Sequence, residues 1–338
     1  MRQARKFMII QTASLGDVIL STALAETLNA NVEGAEIHYL VKKGYESLFR
    51  GHPFVKNVLF WDKSTGKYAG MWRLIREIRK NRYDVVVNVQ RFASSGIITA
   101  LSGAETKHGF AKNPMSLFFS RRFDHVITSQ AGGKHEIYRN HAMIARWAGE
   151  IAQKPALYPE KADYDKVKTH QGIPYITISP ASLWFTKQYP EEKWVELIRN
   201  ISPDLHVILL GSGADQELCS RIAESSGRKA ENLAGKLNFL QSAALMQSAV
   251  MNYVNDSAPQ HLATAVNAPV AAVFCSTVPE FGFGPLSAQS HIIESNEKLN
   301  CRPCGLHGHK ACPEGHFKCA YNITARQLTE ILPDGHNL

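Results

Sequence analysis

Along the chain, short and mostly apolar runs alternate with longer segments whose apolar residues recur every three or four positions. Phe7-Met8-Ile9-Ile10, Ile37-His38-Tyr39-Leu40-Val41 and Val85-Val86-Val87-Asn88-Val89 have the length and continuity of buried strands. Between the last two, residues 71–80 put Leu74, Ile75 and Ile78 on one side and basic residues on the other, which predicts an amphipathic helix. The pattern restarts at Tyr175-Ile176-Thr177-Ile178 and runs on through 206–210, 250–254 and 269–274, with a helix-like segment between successive runs. Continuous apolar strands separated by helices predict parallel sheets covered on both faces. The expected fold class is therefore α/β, with two Rossmann-like domains facing one another across a cleft. Residues 153–174 hold three prolines and little periodicity and are read as the linker, giving domains 1–160 and 161–338. Ligands of such sheets sit at the carboxyl ends of the strands, where loops meet helix N-termini.

Length and composition agree with two cores, since 338 residues exceed what one core serves and 44% of them are apolar. No apolar run approaches the roughly 18 to 20 residues of a membrane span. The start, Met1-Arg2-Gln3-Ala4-Arg5-Lys6, leads into a strand with no signal-peptide core, so a cytoplasmic protein is expected. Charge divides the two halves. Residues 1–160 hold 23 Lys and Arg against 13 Asp and Glu, a net +10, whereas the remainder holds 15 against 17. Such asymmetry fits an anionic partner for the first half (nucleic acid, an acidic membrane surface or a phosphorylated substrate) or a merely solvated basic surface.

The chemistry-bearing residues fall in the strand-end loops. The first strand ends in Thr12-Ala13-Ser14-Leu15-Gly16-Asp17, and a helix pattern starts at Val18. The loop lacks G-x-G-x-x-G and lacks Gly-Lys-Ser/Thr, so it is neither a dinucleotide fingerprint nor a Walker loop. Asp17 has two readings here: a first-turn acid stabilising the helix, or a carboxylate that removes a proton from an attacking hydroxyl. In the second half, Ser182 and Lys187 are suited to gripping a phosphate. Gly211-Ser212-Gly213-Ala214-Asp215 allows close backbone approach, with Asp215 either accepting from ribose hydroxyls or capping a helix. Asn255-Asp256-Ser257-Ala258-Pro259-Gln260-His261 closes a strand and opens a helix, gathering N–H groups, a hydroxyl and an imidazole where a diphosphate would bind.

Together, Ser14-Leu15-Gly16-Asp17-Val18 and Asn255-Asp256-Ser257-Ala258-Pro259-Gln260-His261-Leu262-Ala263, about 240 residues apart in the order seen here, resemble the lipopolysaccharide heptosyltransferases, and the resemblance runs over nearly the whole chain. It implies a GT-B fold, an ADP-sugar donor held by the second domain, and an anionic lipid-linked oligosaccharide acceptor held by the first. It also implies inverting transfer without a catalytic metal or other cofactor. By that resemblance Asp17 is the general base and Lys187 its catalytic partner at the donor phosphates. Ser182, Asp215, Asp256, Ser257, Ala258 and His261 bind the donor, Ala258 standing where the family usually has glycine. Ser14, Gly16, Arg91 and Lys112 are the acceptor candidates, with Lys42, Lys43, Arg121 and Arg122 as further basic candidates, and contact with the inner membrane surface is expected. The alternatives are another sugar or acceptor on the same fold, or a non-catalytic module binding a nucleotide or anionic glycan. Nucleic acid is not expected, because the basic residues are dispersed and no recognised motif accompanies them.

Four of the six cysteines, Cys301, Cys304, Cys312 and Cys319, fall within about twenty residues with His307, His309 and His316 among them. That spacing suits a structural zinc site, free thiols or disulfides. Cys219 and Cys275 read as core residues. A last helix is expected over 324–332.

Overall fold

The structure, a computed structural model, describes residues 5–62, 64 and 66–333, so part of the basic start discussed above lies outside the described residues. By its contacts the chain forms two compact units, one of residues 1–127 with 134–158 and one of residues 128–133 with 159–338.

In chain order the first unit contains β1 (Lys6–Gln11), α1 (Leu15–Asn31), β2 (Glu36–Lys42), β3 (Val55–Trp61), α2 (Lys67–Asn81), β4 (Val85–Asn88), α3 (Ala93–Ala100), β5 (Thr106–Phe110), β6 (Arg121–Phe123), α4 (Glu136–His141) and α5 (Ala145–Ala148). Its six strands lie in the order β3-β2-β1-β4-β5-β6, all parallel. The order reverses between β1 and β4, and this switch point opens the crevice in which such sheets bind ligands. β1 and β4 are buried along almost their whole length because helices cover both faces. α2 buries Met71, Leu74, Ile75 and Ile78 against Met8, Ile10, Leu40 and Trp61, as its periodicity predicts.

The second unit contains α6 (Lys161–Val167), β7 (Tyr175–Ser179), α7 (Glu191–Arg199), β8 (His206–Leu209), α8 (Gln216–Ser226), β9 (Ala230–Asn232), α9 (Phe239–Gln247), β10 (Met251–Asn255), α10 (Ala258–Ala265), β11 (Val270–Phe274), β12 (Ser290–Glu294), α11 (Lys318–Tyr321) and α12 (Ala325–Thr329). Its parallel sheet has the order β12-β11-β10-β7-β8-β9, with the switch point between β10 and β7. Trp194 of α7 is fully buried, edge-on to Tyr189, and Cys219 and Cys275 lie in the same core, as expected for apolar thiols.

Two expectations change. The segment 153–174 is not wholly irregular, because α6 forms inside it, its first turn closed by reciprocal capping between Glu160 and Asp163. The last helix ends at Thr329 rather than at 332. Among the described residues no helix is long and apolar enough to cross a membrane.

Candidate functional site

At the carboxyl end of the first sheet, Ser14 caps α1 and Asp17 is the third residue of its first turn. The Ser14 hydroxyl donates to Asp17 Oδ2 at 2.6 Å while the Ser14 N–H donates to the same oxygen at 3.3 Å. Both readings of Asp17 are therefore open at once: the carboxylate caps the helix, and it remains partly exposed at the strand end. Gly16 is buried in the same turn. Tyr45, at the end of the neighbouring β2, feels the Asp17 charge: burial first, and that carboxylate second, push its phenol up. Nothing in the sequence pattern singles Tyr45 out.

The loops after β4 and β5 end on the same side. The Gln90 amide lies within 2.9 Å of the Thr12 hydroxyl and of Gln11 Oε1, tying the β4 loop to the β1 loop. Asn113 Nδ2 donates to the carbonyls of Gln90 and Phe92 at 3.0 and 3.1 Å, tying in the β5 loop. Arg91 and Lys112 are exposed on these two loops. Lys42 is exposed at the end of β2, Lys43 is paired with Asp62 at 2.8 Å, and Arg121 and Arg122 are exposed on the edge strand β6.

In the second unit the strand-end loops converge more tightly. Asn255, at the end of β10 and fully buried, accepts from the Tyr189 N–H at 2.9 Å and donates to the Pro180 carbonyl at 2.7 Å, so it spans both ends of the loop carrying Ser182 and Lys187. Lys187 Nζ then meets Asp256 Oδ2 at 2.6 Å. Thr277 Oγ1 donates to that oxygen at 2.6 Å, and Gln260 Nε2 donates to Asp256 Oδ1 at 3.2 Å. Asp256 is thus satisfied on both oxygens by its own fold, while an ammonium with three donors has more to give than one carboxylate uses. Ser257 stands at the N-terminal cap position of α10 with its hydroxyl turned back to the Asn255 carbonyl at 3.3 Å, and Ala258 opens the helix at a position that alanine fills without strain, so the departure from glycine leaves the backbone N–H in place. His261 is buried one turn on.

Asp215 repeats the Ser14–Asp17 device. Its Oδ2 accepts from the Ser212 N–H and hydroxyl, each at 2.7 Å. The loop closes on a glycine, since a Cβ on Gly211 would come within 2.8 Å of the Asp215 side chain.

The cysteine segment is part of this site. Arg302 donates to the carbonyls of Cys275, Phe274 and Thr277 at 2.8, 3.1 and 2.8 Å and pairs with Glu294 at 2.8 Å, gathering the chain just past β11. Thr186, buried beside Lys187, exchanges backbone and side-chain hydrogen bonds with His309, and its hydroxyl accepts from Ser276 Oγ at 3.0 Å. Gly308 passes so close that a Cβ there would lie 2.8 Å from Thr186 Oγ1, and its φ of +76° also favours glycine. None of Thr186, Thr277, Arg302 or Gly308 stands out in the sequence; a polar Ser276-Thr277 pair directly after an apolar strand was the one available signal. The thiols do other work. Cys304 donates to the Cys301 carbonyl at 3.2 Å, and Cys319 lies in the apolar core, where burial, then the other cysteines, push its thiol up to about 12. All six cysteines are free thiols, and among the described residues no group of three or more His, Cys, Asp or Glu side chains is placed to hold a metal ion.

Comparison with known proteins identifies relatives of the chain. The model of glycosyltransferase family 9 (heptosyltransferase) matches residues 71–316. The chain is 26% identical to lipopolysaccharide heptosyltransferase 1 of Pseudomonas aeruginosa, over 88% of this chain and 86% of that protein. It is 23% identical to lipopolysaccharide heptosyltransferase 2 of Escherichia coli K12, over 97% of each. Among solved structures, the family 9 glycosyltransferase of Veillonella parvula superposes with a TM-score of 0.83 at 18% identity, covering 97% of this chain and 96% of that one. Escherichia coli ADP-heptose lipopolysaccharide heptosyltransferase II superposes with a TM-score of 0.77 at 20% identity, covering 96% and 97%. The expected GT-B class, two Rossmann-like units, is the fold these structures share with it. With well over half its length matched by the family model, the chain belongs to glycosyltransferase family 9, the heptosyltransferase family, and is a glycosyltransferase.

Proposed function

We propose that this protein is an inverting heptosyltransferase that moves heptose from ADP-heptose to the inner core of lipopolysaccharide, with Asp17 as general base. The observation that carries the reading is Lys187, pinned at 2.6 Å to Asp256 beside the opening of α10: a fixed cation and helix N–H groups at one strand end suit a diphosphate leaving group. The names of the relatives support the substrate class.

In this scheme the acceptor hydroxyl attacks the anomeric carbon on the face opposite the phosphate. The new C–O bond forms as the bond to phosphate breaks through an oxocarbenium-like state. Asp17 takes the hydroxyl proton, and ADP leaves with the bonding electron pair, its charge met by Lys187 and by the N–H groups of Ser257 and Ala258. Because Lys187 supplies the positive charge, no catalytic metal or other cofactor enters. Ser182 is assigned to the donor phosphates, Asp215 to the ribose, and His261 to the donor. Ser14, Gly16, Arg91 and Lys112 are assigned to the acceptor, whose carboxylates and phosphates explain a basic first half.

The test is Asp17→Asn, which we expect to abolish transfer while leaving ADP affinity within about threefold, measured by calorimetry alongside product formation. Wild-type turnover by that variant overturns the base assignment. Tighter binding of UDP or GDP than of ADP overturns the donor, and a product retaining the donor's anomeric configuration overturns inversion.

A further inference from the structure

The chain leaves the second sheet at Phe274, the last residue of β11, and turns through Cys275, Ser276 and Thr277. The backbone and the side chains of this turn have different partners. Its carbonyls are held by the segment 302–304. Arg302 Nε donates to the Cys275 carbonyl at 2.8 Å, Arg302 Nη2 to those of Phe274 and Thr277 at 3.1 and 2.8 Å, and the Cys304 N–H to that of Ser276 at 2.8 Å. Its two hydroxyls are buried and engage the neighbours of Lys187. Ser276 Oγ donates at 3.0 Å to Thr186 Oγ1, one residue before the lysine, and Thr277 Oγ1 donates at 2.6 Å to Asp256 Oδ2, the oxygen that Lys187 Nζ meets. The guanidinium is itself fixed by Glu294, the last residue of β12 and the register partner of Phe274, at 2.8 Å. A flat fork of five N–H donors can serve three carbonyls and a carboxylate together, whereas the donors of an ammonium leave a single point and do not span them. Buried carbonyls that lose their donor pull the turn toward other partners.

We infer that Arg302, backed by Glu294, is a positioning residue for Lys187. It acts through the turn: the guanidinium fixes the carbonyls, the turn then fixes its two hydroxyls, and the hydroxyls fix Thr186 and Asp256, between which the ammonium is set. The inference rests on the proposed function in taking Lys187 as the group that meets the leaving diphosphate. A misplaced ammonium loses more with the charge that develops on the leaving group than with the donor's ground state, so kcat falls further than KM rises.

The experiment is a mutant cycle on the full chain: Arg302→Lys, Ser276→Ala/Thr277→Val, and the three changes together. ADP affinity by calorimetry, kcat and KM of transfer, and the melting temperature are measured for each. Arg302→Lys alone is expected to lower kcat about tenfold and ADP affinity about fivefold, with the acceptor's KM unchanged. On the background that lacks both hydroxyls the same substitution should change either quantity by less than about twofold, because the relay is already cut. Should Arg302→Lys not fold, Glu294→Gln, which loosens the fork without emptying its place, carries the same cycle with a fall in kcat of about threefold. Wild-type kcat and ADP affinity in Arg302→Lys overturn the inference. So does a loss by the same factor on both backgrounds, which is what a general loosening of the fold produces. Either result leaves the proposed function standing. Tighter binding of UDP than of ADP by the wild type counts instead against the proposed donor, and the cycle read with UDP then judges Arg302 by itself.

Discussion

Asp256 shows how one residue can matter to the proposed donor site without offering it a free oxygen. Its carboxylate accepts from Lys187, Thr277 and Gln260, so in the proposed donor site its service is to hold the ammonium in place. Removing either partner of so covered a pair leaves the other charge buried alone, which costs about 3 to 5 kcal/mol, so simple charge deletions confound stability with binding. The Thr277 hydroxyl is a cleaner probe. Thr277→Val keeps the side chain's shape and deletes one hydrogen bond, worth about 1 kcal/mol. We expect ADP affinity to fall about fivefold with an unchanged pH profile of kcat, since the proposed base, Asp17, is untouched. Unchanged ADP affinity in a calorimetric titration would show that Asp256 holds Lys187 without Thr277.

The elements legible in the sequence are those with helices on both faces. β1, β2, β4, β7, β8, β10 and β11 read as mostly apolar runs because nearly every position is buried. β3, β6, β9 and β12 escape because they lie at the sheet margins and few of their positions are buried, while the polar residues of β5 hide a central strand. In the candidate site, strand-end motifs could be found because loop chemistry sits at fixed offsets from apolar runs. The brace from the cysteine segment could not, since it joins Thr186 to His309 across 123 residues and its spacing suggests metal ligation instead. That brace is testable through its glycine. Gly308→Ala forces a Cβ against Thr186 Oγ1 and Lys187 Cγ at a positive φ, and should weaken ADP binding about tenfold while thermal stability drops by only about 1 to 2 kcal/mol. ADP affinity equal to wild type would mean that the segment gives way without moving Lys187.

At the scale of the whole molecule the two units respond to acid through different residues, and the first carries a specific liability. Burial holds the imidazoles of His38, His52, His108 and His141 below their usual value of 6.5, His52 down to about 4. The unfolded chain accepts protons that the folded unit refuses, so this contribution to stability is complete above about pH 6.5 and declines as pH falls toward about 4. Glu26, whose carboxyl burial pushes up, works in the opposite direction and offsets part of the loss. Thermal melts followed by Trp147 and the other first-unit tryptophans should therefore lose several degrees between pH 7.5 and pH 5, to an extent set by about 1.4 kcal/mol per pKa unit of depression. A transition temperature constant over that interval would remove the histidines from the account. The long reach of the Thr186–His309 bond has a consequence for how the protein comes into being. On the ribosome the first sheet and its Asp17 loop can close while most of the chain is still unmade, whereas the Lys187 loop has to wait for residues 302–309 before it acquires its final shape. The nascent protein should thus pass through a stage with a finished first half and an unbraced Lys187 loop.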